Sequence, residues 1–258
     1  MTGLTALLIV SFFLIAVAYS LVGMGGGSAY LAVLVLLDLG RPEIVKVVLT
    51  CNLIVACMAV IQFQRAGHFT LRIAAPLLAG ALPVSFLITF FTIPTRMFLA
   101  AVAVLLLLAG CRMFINMRLE GQPAYRIPQK DLWSYGLPLG CILGAFIGAV
   151  GIGGGIFLVP MLAVLHWGTT KQVGATTSLF IMLTSLAALV GKFVNEPDLY
   201  DLYDYIWVYP AVLVGGLIGS RIGARALPII AFRLISAVLV LSVSGILFYR
   251  LFSDFIQV

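Results

Sequence analysis

Charge is what this chain has least of. Lys, Arg, Asp and Glu make up 9% of its 258 residues, against about 25% in a soluble globular domain, and the mean hydropathy is +1.19. That excludes a soluble fold and leaves no stretch polar enough to form a domain outside a membrane. Histidine is almost missing: His68 and His166 are the whole complement, both near loops and far apart in the chain. An enzyme would need a clustered nucleophile–base set or metal ligands, so neither catalysis nor a metal site is expected, and no cofactor. No Asp or Glu lies deep in an apolar stretch, which argues against a carboxylate proton relay; Asp38, at the end of a short apolar piece, comes nearest. Cys51, Cys57, Cys111 and Cys141 sit in apolar segments without CxxC or CxxH spacing, and read as small packing residues rather than disulfides. The first 22 residues lack a basic start and a small-x-small cleavage site, so they are expected to be a retained helix.

What the chain does have is apolar length. Crossing about 30 Å of hydrocarbon takes about 20 apolar residues, and eight stretches approach this. They are Leu4 to Val22, Val47 to Phe63, Ile73 to Thr95, Met97 to Ile115, Leu132 to Val150, Val173 to Phe193, Ile206 to Arg221 and Ile230 to Phe252. Two shorter pieces, Ala29 to Leu37 and Ile156 to Leu165, are too short to span alone. The expected fold is an all-α polytopic membrane bundle with eight long helices and two short ones, eight to ten segments in all.

Each short piece follows a cluster of glycines. Gly23-Met-Gly-Gly-Gly27 recurs as Gly151-Ile-Gly-Gly-Gly155. An interior glycine costs a helix about 1 kcal/mol relative to alanine, so both clusters mark breaks. Other landmarks follow in the same order in each half. Thr50-Cys-Asn-Leu53 matches Thr176-Thr-Ser-Leu179, Ala79-Gly80 with Ser85 matches Val214-Gly215 with Ser220, and Arg96 matches Arg233. The chain therefore divides into a first transmembrane repeat, residues 1–115, a linker, 116–131, and a second repeat, 132–258.

Charge orients the halves. The loop with Arg65 and Arg72 and the linker are basic, whereas Asn195 to Asp204 holds Glu196, Asp198, Asp201 and Asp204 and no cation. Basic loops stay cytoplasmic. The loop between the second and third long helices then lies inside in one half and outside in the other, which makes the repeats inverted and puts both chain ends outside. Inversion needs an odd number of crossings per half, so each glycine cluster should reverse the chain rather than kink one helix. The net charge of +6 fits basic cytoplasmic loops and calls for no nucleic acid.

At a break within the membrane, the helix that starts there exposes N–H groups with no lipid partner. Such an end carries about half a positive charge, and glycine lets an anion reach the backbone. The candidate site is Gly25, Gly26, Gly27 and Ser28 with Gly153, Gly154 and Gly155. Thr50, Asn52, Thr176, Thr177 and Ser178 are placed to complete it. Close helix packing and interhelical hydrogen bonding are the competing readings of these residues. Arg221, ending an apolar run, either snorkels to the interface or lines a gate.

These motifs, with Phe157-Leu-Val-Pro160, Gly174-Ala-Thr-Thr-Ser178 and Gly216-Leu-Ile-Gly-Ser-Arg221, resemble the sulfite exporter TauE/SafE family over nearly the whole chain. The resemblance implies a multi-pass permease of the bacterial or archaeal inner membrane moving sulfite, sulfoacetate or a related organosulfonate, with export the expected direction. It places the site at Gly25 to Gly27, Gly153 to Gly155 and Thr176 to Ser178. The first half departs from it, with no proline matching Pro160 and Phe86 in place of the Arg221 equivalent. Another small inorganic or carboxylate anion, carried or conducted through a channel, is the alternative. The expected partners are a small anionic substrate and the lipid bilayer, with a homodimer left open.

Overall fold

The computed structural model describes residues 2–37, 39, 44–91, 103–104, 107–108, 110–111, 128–150, 155–165, 167–197 and 200–256. Helices follow one another as α1 Thr2–Ser20, α2 Gly27–Leu36, α3 Ile44–Arg65 and α4 Leu71–Leu87, the last extended by a 3-10 turn at Ile88–Phe90. Then come α5 Gln129–Val150, α6 Gly155–Leu165, α7 Thr170–Asn195, α8 Tyr200–Asp204, α9 Val208–Arg225 and α10 Ile229–Ile256. Among the described residues there is no strand. The fold is an all-helical membrane bundle. Five helices among the described residues are long and apolar enough to cross a bilayer: Gly3–Ser20, Ile44–Arg65, Leu71–Phe90, Thr170–Asn195 and Ile229–Ile246. Most of the apolar stretch from Met97 to Ile115 and most of the linker lie outside the described residues.

Local chemistry explains several boundaries. α3 stops where Gly67 takes φ +76° and the His68 N–H donates to the Phe63 carbonyl at 3.1 Å, a glycine-terminated helix end. α7 starts with a capping box: the Thr169 hydroxyl accepts from the Gln172 N–H, and the Gln172 side chain accepts from the Thr169 N–H at 2.9 Å. α4 keeps Pro76 and Pro83 inside the helix, and α5 keeps Pro138.

Two seams of close packing hold the bundle. On α5, Gly136 lies against Pro76, Gly140 against the Leu77 carbonyl, Gly144 against Ala81 and Gly148 against Ser85. On α9, Gly215 lies against Phe13 and Ala16, Gly219 against Val17 and Ser20, and Gly223 against the Leu21 carbonyl. Both series rise together, so α4 runs parallel to α5 and α1 parallel to α9. Glycine every four residues presents a flat stripe that admits a neighbouring backbone.

The central pair runs the other way. Lys46, at the start of α3, is 3.8 Å from Glu196 just beyond the end of α7, while Phe63 near the end of α3 meets Gly174 near the start of α7. Lys171 at the start of α7 donates to the carbonyls of Gly223 and Leu227 at the end of α9, the latter at 2.8 Å. α7 is thus antiparallel to both α3 and α9. It is parallel to α4, with Ile73 beside Gly168 and Phe86 beside Gly191. So α1, α3 and α9 point one way, and α4, α5 and α7 the other. Because α1 and α3 share a direction, the chain between them has to come back. The segment containing Gly23 to Gly27 and α2 is a chain reversal, not a kink in one long helix.

Candidate functional site

The first reversal is built from glycine geometry. Gly23 adopts φ +74°, its N–H donates to the Ser20 carbonyl at 3.1 Å, and the Met24 N–H donates to the Tyr19 carbonyl at 2.9 Å. This pair of bonds closes the end of α1. A side chain at Gly23 would strike the Gly174 carbonyl of α7. Gly26, at φ +81°, then starts α2: its carbonyl accepts from the N–H groups of Ala29 and Tyr30, both at 3.0 Å. The N–H groups of Gly25, Gly26, Gly27 and Ser28 have no backbone acceptor among the described residues.

Asn52 of α3 lies directly on this turn. A Cβ added to Gly25 would sit 2.6 Å from Asn52 Oδ1 and 3.0 Å from Ile181 Cγ2 of α7. Asn52 is fully buried, yet neither its Oδ1 nor its Nδ2 has a hydrogen-bond partner. Thr176 and Thr177 are equally buried, and their hydroxyls are also unpartnered. Thr177 falls one helical turn from both Gly174 and Ile181, the α7 residues that touch the break, and so shares their face. A buried polar group without a partner costs about 1–3 kcal/mol. Both ends of the Asn52 amide and the two threonine hydroxyls are in that state, on the adjacent helices α3 and α7.

Other candidates are already occupied. The Thr50 hydroxyl donates to the Lys46 carbonyl at 2.8 Å, the Ser178 hydroxyl to the Ala175 carbonyl at 2.9 Å, and Ser28 is hydrogen-bonded to the Tyr19 side chain. Gly155 opens α6. Gly153 and Gly154 lie outside the described residues. Arg221 is exposed on α9 beside the buried Ser220. Two buried groups were not singled out from the sequence: the Tyr30 and Ser185 hydroxyls, both fully buried and unpartnered. An aromatic or serine in an apolar stretch reads as packing, and only the missing partner sets these two apart.

The unpartnered groups include no charge. Lys46 is buried one turn before Thr50, but its ammonium is directed to Glu196 and over the Phe193 ring at 5.9 Å, at the far end of α7. Neutral donors around a buried helix start whose N–H groups lack backbone acceptors among the described residues suit a compact anion, since they offer hydrogen bonds without the cost of a fixed cation at depth.

The sequence description of the family Sulfite exporter TauE/SafE matches residues 8–248. The chain belongs to the TauE/SafE family. A relative named Probable membrane transporter protein y4hK, from Sinorhizobium fredii (strain NBRC 101917 / NGR234), is 32% identical over 239 residues, covering 93% of this chain and 96% of that protein. No solved structure gives a significant match. As a TauE/SafE member the chain is a membrane transporter rather than an enzyme, and the apolar helices described above place it in a membrane.

Proposed function

We propose that this TauE/SafE protein is a secondary transporter for a small sulfur-containing oxyanion, such as sulfite, sulfoacetate or a related organosulfonate. It carries the anion outward across the bacterial inner membrane, holding it at the glycine break. The observation that carries this reading is the unpartnered Asn52 amide against Gly25, at a turn where the N–H groups of Gly25 to Ser28 have no backbone acceptor among the described residues. Thr177, on the α7 face that touches the break, supplies a further donor, and Thr176 lies beside it. Three hydrogen bonds to a charged ligand, at about 1.5–3 kcal/mol each, total about 4.5–9 kcal/mol, which the cost of immobilising it, about 4 kcal/mol or more, reduces to millimolar or weaker affinity. That range lets a transporter release its cargo.

The opposed directions of α3 and α7, which hold matching places in the two halves, support inverted repeats and hence alternating access about a central site. So do the reciprocal seams, α4 on α5 and α9 on α1. On this reading both chain ends face outside, residues 116–131 are cytoplasmic, and Arg221 is a gate cation at the cytoplasmic mouth. Single cysteines at Gln122 and Asp201, in a background without native thiols, then label from opposite sides of the membrane; labelling from one side removes the inverted arrangement.

The substrate test is flux in proteoliposomes with sulfite, sulfoacetate, sulfate and lactate. Saturable transport of sulfite or sulfoacetate that is lost in Asn52→Leu supports the proposal. Transport of lactate alone replaces the substrate class with carboxylates, and flux that never saturates replaces the carrier with a channel.

A further inference from the structure

The Tyr30 hydroxyl is a second unpartnered polar group at the same turn, carried by α2 where Asn52 is carried by α3. Tyr30 is in the first turn of α2, is fully buried, and stacks on Phe12 of α1 with ring centroids 4.6 Å apart. That stacking fixes the ring plane. The hydroxyl-bearing end of the ring lies against the break: a Cβ on Gly26 would lie 3.2 Å from both Cε2 and Cζ of Tyr30. The hydroxyl on Cζ has no partner. A phenol that only filled space here could be a phenylalanine at lower cost, because burying an unpaired O–H is unfavourable.

We propose that Tyr30 is a ligand of the transported oxyanion, donating its phenol O–H to an anion oxygen held by the N–H groups of Gly25 to Ser28. The inference rests on the anion-transport reading above and deepens it. Tyr30 and Asn52 grip the anion from α2 and α3, so the first break offers two side-chain donors as well as backbone. Aligning the glycine motifs sets Tyr30 against Leu158, which has nothing to donate. The two halves therefore differ chemically at this position.

Tyr30→Phe removes the oxygen and keeps the ring on Phe12. Binding of radiolabelled sulfite to the purified protein, read together with thermal unfolding without ligand, separates a ligand from a structural residue. Weaker sulfite binding by about tenfold or more, with a melting temperature equal to or above that of the unaltered protein, is the expected result. The opposite signs arise because the hydroxyl is a liability until the anion arrives. Unchanged affinity in Tyr30→Phe, while Asn52→Leu still loses binding, overturns the role of Tyr30 alone. A lowered melting temperature together with weaker binding makes Tyr30 structural and also overturns it. If the unaltered protein binds neither sulfite nor sulfoacetate, the transport reading itself falls, and the ligand role falls with it.

Discussion

Glycine serves opposite ends in two regions of this molecule. Along the seams, Gly136, Gly140, Gly144 and Gly148 on α5 and Gly215, Gly219 and Gly223 on α9 recur every four residues inside regular helix, and most of them face a neighbouring backbone. At the first break, four glycines fall within the five residues Gly23 to Gly27, two of them have positive φ, and Gly25 faces an amide side chain. Spacing by four makes a stripe that lets two helices approach. Clustering instead ends one helix and starts another, leaving donors without a backbone acceptor among the described residues. The same missing side chain gives close contact in one place and access to the backbone in the other.

The sharpest way to break that comparison is to add atoms in both regions. Gly140→Leu drives a side chain into the Leu77 carbonyl, backbone that cannot swing aside, so the α4·α5 seam must part. We expect a loss of about 3 kcal/mol or more and no monodisperse folded peak in size-exclusion chromatography. Gly25→Ala meets the end of the Asn52 side chain, which can rotate away. It should fold, with stability changed by about 1 kcal/mol, yet lose sulfite binding because the amide is displaced. If Gly25→Ala unfolds as Gly140→Leu does, the break is only another seam.

A smaller effect, with a more telling sign, is expected from Asn52→Leu. The change nearly preserves volume and removes two buried polar atoms that have no partners in the unliganded protein. Replacing such groups by apolar ones is neutral or stabilising, so the melting temperature should hold or rise. Sulfite affinity should meanwhile fall about tenfold or more. A drop in both would mean that Asn52 supports the fold and that its amide finds partners on binding nothing.

The comparison also explains what could be read in the sequence. Hydrocarbon imposes length and apolarity on every spanning helix, so most of the helical stretches and the first break were legible. Their ends were less so. α3 begins at Ile44 rather than Val47 and takes in Lys46, which is tolerated because it pairs with Glu196 some 150 residues away in sequence, a partner that no local pattern reveals. α4 closes at Leu87 with a 3-10 turn, inside the apolar stretch whose last residues, 92–95, lie outside the described ones. At the candidate site, residue type pointed to Asn52, Thr176 and Thr177, but it could not separate them from Thr50 and Ser178. A helical hydroxyl can always bond its own carbonyl three or four residues back, and whether it does depends on packing around it. Tyr30 was hidden for the converse reason: its stacking on Phe12 looks like core, and only the missing partner on its hydroxyl says otherwise.

The smallest expected effect tests that last distinction. Ser178 and Thr177 are neighbours on α7, are equally buried, and occupy one motif, so residue type and position alone would assign both to the anion. Yet the Ser178 hydroxyl already donates to Ala175, whereas that of Thr177 is unpartnered. A donor committed to its own helix gains little by turning to a ligand, because the bond made replaces a bond broken. Ser178→Ala should therefore change sulfite affinity by about twofold or less. Thr177→Val, which keeps the shape and removes the free hydroxyl, should weaken it about tenfold. Both can be read as binding isotherms on the purified protein. Equal losses at the two positions would mean that the Ser178 bond is given up on binding and that orphaned atoms do not mark the site. A loss at Ser178 alone would move the anion to the Ser178 side of α7.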